Sequence, residues 1–237
     1  MEEMSPENAN VDPRPAFAIT AVLLGLGAPV IQAIIRPLLE AYVPYPMNRF
    51  VSLWPFWIAT AFAIFVSVKI ENIPLSTFGI GKNTRSLRYR LIELIAALIT
   101  GLVITIVLVL FSNAVRDALG ASSPTLFDPD SIPPAWILIL AWITAFFCEE
   151  FLFRSYPIER LGMLTGNRWF GVILTLVTFV LFHIWGWDWI HLATVVLPAA
   201  IIVTGIYLWR RSLLFVMIIH AVFDLPLIFL PFLAPYL

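Results

Sequence analysis

The stretch "AWILILAWITAFFCEEFLFR", residues 135 to 154, decides how this chain is built. No charge appears from Ala135 to Cys148. Then Glu149 and Glu150 stand side by side, and Arg154 follows four positions after Glu150. A membrane-crossing helix takes about 20 mostly apolar residues, and the run from Ile132 to Phe153 is of that kind. A charge near the centre of such a helix costs about 2.5–3.5 kcal/mol on insertion scales. Charges kept there therefore mark a bundle interior or a water-filled cavity.

The rest of the chain has the same character. Of 237 residues, 61% are hydrophobic and 12% charged, against about half and about a quarter in soluble domains. Seven runs read as spans, at Ala16–Ile35, Phe50–Val68, Leu94–Phe111, Ile132–Phe153, Trp169–Trp187, Leu192–Leu208 and Leu213–Leu233. The expected fold is an all-α polytopic membrane bundle of about seven transmembrane helices. It forms a single domain over residues 16–237, preceded by a polar, acidic tail at residues 1–15 that is expected to be disordered. A cleaved leader would start basic and have an apolar core of about 7–15 residues; this start is acidic and its first run longer, so that run reads as a retained span. A net charge of −1 gives no case for nucleic acid. The single cysteine, Cys148, forms no internal disulfide.

Lysine and arginine favour the cytoplasmic side of a membrane. With seven spans, eleven of the fourteen fall on the side of the N-terminus, including Arg154, Arg160 and Arg168 in the connection after the fourth span. Arg36, Arg49 and Arg116 fall on the other. The expected placement is the cell membrane with the N-terminus cytoplasmic. The basic stretch "KNTRSLRYR", residues 82–90, reads as an ordinary positive-inside loop beside the lipid bilayer.

Few ionisable residues are embedded in the runs. Glu149, Glu150 and Arg154 end the fourth, His183 lies late in the fifth, and His220 and Asp224 lie midway along the seventh. Helix positions four apart share a face, which pairs Glu150 with Arg154 and His220 with Asp224. Glu149 points about 100° away from Glu150, so the two glutamates are free to do different work. Each pair alone has a simpler reading, a helix ion pair or a hydrogen-bonded packing pair. Acid and imidazole groups on three spans are explained most economically by one shared pocket.

Two chemistries fit that set. Zinc often takes two histidines and a carboxylate and leaves a position for water. Without metal, a buried glutamate takes a proton from water while histidines stabilise the oxyanion. Both hydrolyse an amide. The chain has no H-E-x-x-H and no G-x-S-x-G. A thiol in apolar surroundings is usually inert, which argues against Cys148 as a nucleophile.

The segments "EEFLFR" (149–154), "FVLFH" (179–183) and "HAVFD" (220–224) fit E-E-x-x-x-R, F-x-x-x-H and H-x-x-x-[N/D] in that order. The set resembles the CPBP family of intramembrane proteases, which includes type 2 CAAX prenyl endopeptidases and bacteriocin-processing relatives. The resemblance covers about residues 132–233, the expected protease-like core. It implies Glu149 as the water-activating base and His183 as its assistant, with His220 and Asp224 at the oxyanion. It implies Glu150 and Arg154 as supporting residues. It also implies an endopeptidase acting on a membrane-anchored peptide or protein, a prenylated CAAX protein among the candidates. No resident cofactor is assigned, with zinc kept as the alternative. The CAAX enzymes carry Asn where this chain has Asp224. An amide donates to an oxyanion and an ionised carboxylate only accepts, so Asp224 is protonated, orients His220 or ligates a metal.

Two expectations concern geometry. Straight spans separate Glu149 and His183 in depth by on the order of 10–15 Å, a gap that a tilted fifth span or an irregular Trp185–Trp189 segment lining a cavity would close. The polar cavity is expected to open toward the cytoplasm. The alternative to an enzyme is a non-enzymatic immunity, scaffold or transport protein that keeps its buried charges for packing or proton movement. Nothing in the sequence specifies an oligomeric state.

Overall fold

The computed structural model describes residues 14–81, 86–122, 132–226 and 228–229. The expected tail lies outside the described residues up to position 13. Lys82 and Arg85 of the basic stretch, and the end of the seventh run, also lie outside them. The described residues form helices with no strand between them. In chain order these are α1 (Arg14–Tyr42), α2 (Met47–Ile70), α3 (Leu87–Leu119), α4 (Ala135–Thr165), α5 (Arg168–His183), α6 (Trp189–Arg210) and α7 (Leu213–Phe223). Five of them, α1 to α4 and α6, are long and apolar enough to cross a membrane, while α5 and α7 are apolar but shorter. The chain is thus a polytopic helical bundle, and each of the seven apolar runs carries one of these helices over its described residues. Large apolar side chains such as Ile95, Leu102, Ile106 and Leu110 of α3 stay exposed, which suits a lipid-facing surface.

The departure that matters is α4. The sequence reading ended this span at Phe153, because Arg154, Glu159 and Arg160 look like a loop. The helix instead runs on to Thr165. It can do so because those charges find partners. Arg160 pairs with Glu71, and Glu159 accepts from Arg211 and, at 3.0 Å, from the Tyr207 hydroxyl. Arg154 and Arg160, assigned to a loop by sequence, are 3% and 6% exposed.

α4 is not regular along its length. Two wider π-turns cover Thr144–Glu149 and Phe151–Ser155. The second ends two residues before Pro157, whose missing N–H and bulky ring disturb the preceding turn. The same arrangement recurs in α6, where a π-turn at Leu192–Val196 precedes Pro198. At the first, the Thr144 hydroxyl donates to Leu140 O at 2.8 Å and accepts from Trp57 Nε1 at 2.9 Å. Such back-bonding bends helices. π-turns re-aim the side chains they carry and recur at functional sites.

α4 turns into α5 through Gly166, at φ +70°, and Asn167, whose side chain caps Trp169 N at 3.0 Å. The two helices then pack antiparallel. Gly171 permits this, since a Cβ there would sit 2.9 Å from Ile158 Cα and 3.0 Å from Pro157 O. α7 packs as tightly on α3 at Gly101, where a Cβ would meet Val222 Cβ at 2.8 Å and Ile219 O at 2.9 Å.

This contact supports a prediction. Gly101→Ala should push α7 off α3 and lower stability by about 1–3 kcal/mol, the usual cost of overpacking. Gly205→Ala, whose Cβ would meet nothing within 4 Å, should be neutral or mildly stabilising. Thermal unfolding in detergent measures both; equal melting temperatures would contradict the packing argument.

Candidate active site

Residues of α4, α5 and α7 meet in one buried charge network. Arg154 lies one turn beyond Glu150 on α4 and pairs with Glu150 Oε1. The same oxygen lies 2.6 Å from His220 Nδ1 on α7. His220 Nε2 lies 3.1 Å from Asp224 Oδ2, just past the end of that helix. The Arg154 guanidinium also sits over the Phe179 ring of α5, 4.8 Å from its centroid. Glu150 is 0% exposed and His220 9%. A carboxylate accepts and cannot donate, so both ring nitrogens of His220 carry hydrogen when both contacts form. Positive and negative groups then alternate from Arg154 through Glu150 and His220 to Asp224, the condition under which such charges tolerate burial.

Sequence spacing anticipated the Glu150–Arg154 and His220–Asp224 pairs. It did not anticipate that Glu150 joins them. The resemblance implies a place at the oxyanion for His220; in this structure both its nitrogens face carboxylates.

Glu149 points elsewhere. It lines a cavity of about 240 Å³ together with His183. His183 Nδ1 donates to Phe179 O at 2.7 Å, which in the neutral ring leaves the lone pair on Nε2. The expected depth gap between Glu149 and His183 does not exist. Glu149 lies sixteen residues before Thr165 and His183 fifteen after Arg168. At about 1.5 Å per residue, both stand roughly 22–24 Å from the Gly166 turn. The error came from ending α4 too early. The irregular segment after His183 does line the cavity, through Trp185, Gly186 and Trp187.

The cavity floor is Phe153 and Phe179, and its lining runs outward to Trp185–Trp187 and to Arg36 of α1. Helix directions put those outer residues at the end of the bundle opposite the N-terminus. Pro29, Gln32, Ala33 and Arg36 of α1 and Phe56 of α2 also line it. The sequence reading treated these helices only as spans. The signal was Gln32 and Arg36, two polar residues four apart in an apolar helix.

The outer turn is pinned. Asp188 accepts from Arg116 at 2.6 Å and caps α6 through the N–H groups of Ile190 and His191 at 2.9 and 3.0 Å. Burial raises the Asp188 carboxyl, but the Arg116 hydrogen bond and these backbone donors outweigh it and hold it below the usual range. That contribution to stability is therefore present above the ordinary carboxylate pKa and lost as pH falls through the lowered native value.

Among the described residues, no group of three or more His, Cys, Asp or Glu side chains is placed to hold a metal ion. The donor set that zinc would need is not assembled among them. Cys148 is wholly buried.

Residues 131–226 match the model of the Rce1-like family, described as type II CAAX prenyl endopeptidase Rce1-like. This segment belongs to that family. The Rce1-like segment contains Glu149, Glu150, Arg154, His183, His220 and Asp224, and the match supports protease activity of the CAAX type in general terms. Neither a curated protein nor a solved structure matches the chain.

The network yields its own test. Breaking a buried ion pair from one side costs about 3–5 kcal/mol, while replacing both partners with apolar groups is often neutral. Arg154→Met should therefore lower the melting temperature strongly, and Glu150→Leu with Arg154→Met should recover part of the loss. A double variant less stable than either single one would contradict the coupling.

Proposed function

We propose that this chain is an intramembrane endopeptidase in which Glu149 activates water for attack on a peptide bond of a membrane-anchored substrate. The observation that carries the reading is that Glu149 and His183 share one cavity, one helical residue away from a buried network that fixes α4 against α7. Glu149 takes a proton from water as the oxygen attacks the scissile carbonyl carbon. The carbonyl π electrons move to oxygen and form a tetrahedral oxyanion. When the intermediate collapses, the C–N bond breaks and the leaving nitrogen takes the proton from Glu149. His183 Nε2 is free to accept a hydrogen bond from the same water.

The His220 ring, held between Glu150 and Asp224, acts on the oxyanion through its positive charge alone and donates no hydrogen bond to it. This use of a carboxylate explains why Asp224 works where relatives in the resembling family carry Asn: it serves the histidine and makes no oxyanion contact of its own. Glu150 and Arg154 hold His220 and leave Glu149 clear. The proposed setting is the cell membrane with the N-terminus cytoplasmic, and the proposed chemistry needs no resident metal.

General acid–base catalysis contributes about 10²–10⁴-fold. Glu149→Gln, nearly isosteric, should thus reduce cleavage of a membrane-anchored reporter peptide by that factor while leaving the melting temperature unchanged. A chelator should leave the wild-type rate unaltered. Full activity in the folded Glu149→Gln protein would favour the non-enzymatic alternative, and chelator inhibition reversed by zinc would favour the metal.

A further inference from the structure

One face of α1 lines the cavity. Pro29, Gln32, Ala33 and Arg36 stand there together with Glu149 and His183. Their spacing, i, i+3, i+4 and i+7, is that of a single helix face. This wall lies outside residues 131–226, the segment that matches the Rce1-like family. Its depth follows from a contact one turn before Pro29: a Cβ on Gly25 would lie 3.0 Å from Leu152 Cδ2 and 3.7 Å from Leu152 Cβ. α1 and α4 run in opposite directions, so Gln32 and Glu149 both lie on the Arg36 side of that contact. Gln32 is seven residues from Gly25 and Glu149 three from Leu152, about 10 Å and about 4.5 Å along their helices. Gln32 therefore stands about 6 Å past Glu149, and Arg36, four residues further on, about 12 Å past it.

The chemistry of this wall is that of a peptide receptor. Gln32 is half-buried, and its side chain makes no hydrogen bond to another described residue. A primary amide offers two donors and an acceptor, the complement of a peptide unit. Pro37 has no N–H, so the Ala33 carbonyl lacks the donor that position i+4 normally gives a helix and is an acceptor beside Gln32. Arg36 gives its Nε–H to Glu40 at 2.9 Å, and its two Nη groups carry further donors. Glu40 also meets Arg49 at 3.5 Å, so the three side chains together carry one positive charge. Of the three, Arg36 is the one that lines the cavity.

We infer that α1 binds the substrate peptide, with Gln32 hydrogen-bonding its main chain and Arg36 taking a carboxylate. An extended chain advances about 3.3 Å per residue. From a scissile bond at Glu149, the peptide unit facing Gln32 is about two residues away, and the carboxylate at Arg36 about three or four. That carboxylate belongs to an Asp or Glu side chain or to the end of the peptide. The recognition is the same for both, a charge-assisted and two-pronged bond from the guanidinium. The inference rests on the protease reading for the word substrate, and on the α1 face for the binding wall.

Binding to the Glu149→Gln protein in detergent tests this without turnover. The probes are palmitoylated peptides of mixed sequence, free of Asp and Glu, carrying an uncharged fluorophore and ending in a carboxamide. A second set ends in a free carboxylate, and a third keeps the carboxamide and carries one Glu at varied positions. Fluorescence anisotropy should show at least one carboxylate set bound about tenfold tighter than the carboxamide set. The set that gains names the source of the carboxylate. Arg36→Gln, made in the same background, should abolish the gain. Gln32→Leu should weaken all three sets by about three- to tenfold. Arg49→Gln, which also touches Glu40 but lies away from the cavity, should keep the gain. The Arg36–Glu40 pair is half exposed, and such pairs add little to stability, so melting temperatures should stay level. Equal binding of the three sets, or a gain that survives Arg36→Gln or falls as much with Arg49→Gln, would overturn the carboxylate subsite. Unchanged affinity in Gln32→Leu would overturn the main-chain contact. The expected binding pattern with no cleavage by the wild-type chain would sink the catalytic reading alone.

Discussion

Glu150 Oε1 is the atom on which the site depends. It takes the Arg154 guanidinium from its own helix and the His220 ring from α7. A carboxylate with no exposed surface is tolerable only because cations meet it. The same contacts bring α4 and α7 together, and Arg154 over Phe179 adds α5. Glu149 is then fixed by default: one residue earlier on a helix clamped through Glu150, it faces the cavity. The adjacent glutamates thus divide the labour between holding and reacting.

The second constraint is the length of α4. A helix that ended at Phe153 would strand Glu149 near one surface. The observed helix continues to Thr165 and folds back as α5 through Gly166 and Asn167, which sets Glu149 and His183 at matching depth. The ion pairs Arg160–Glu71 and Arg211–Glu159 permit that continuation, since they neutralise the charges of the extra turns. The π-turns before Glu150 and before Pro157 set where along the helix each side chain points.

The helical membrane fold was legible because hydropathy integrates over many residues and tolerates errors at the ends. The candidate residues could be picked out because ionisable groups are rare in such spans, and the pairs Glu150–Arg154 and His220–Asp224 follow from helical spacing alone. The Glu150–His220 contact was not legible, because it joins residues 70 apart and no local rule predicts it. The extent of α4 was misread for a related reason: charges at 154, 159 and 160 resemble a loop until their distant partners are known. The share of α1 in the cavity was missed because the four-residue spacing of Gln32 and Arg36 marks a shared helix face without saying what that face meets.

A structure of the Glu149→Gln protein with a membrane-anchored peptide trapped in it tests the central claim most directly. The account predicts the scissile carbonyl inside the cavity, within about 3–3.5 Å of a water held between residue 149 and His183, with the carbonyl oxygen on the His220 side. A peptide bound on the outer helical surface, away from residue 149, would contradict it.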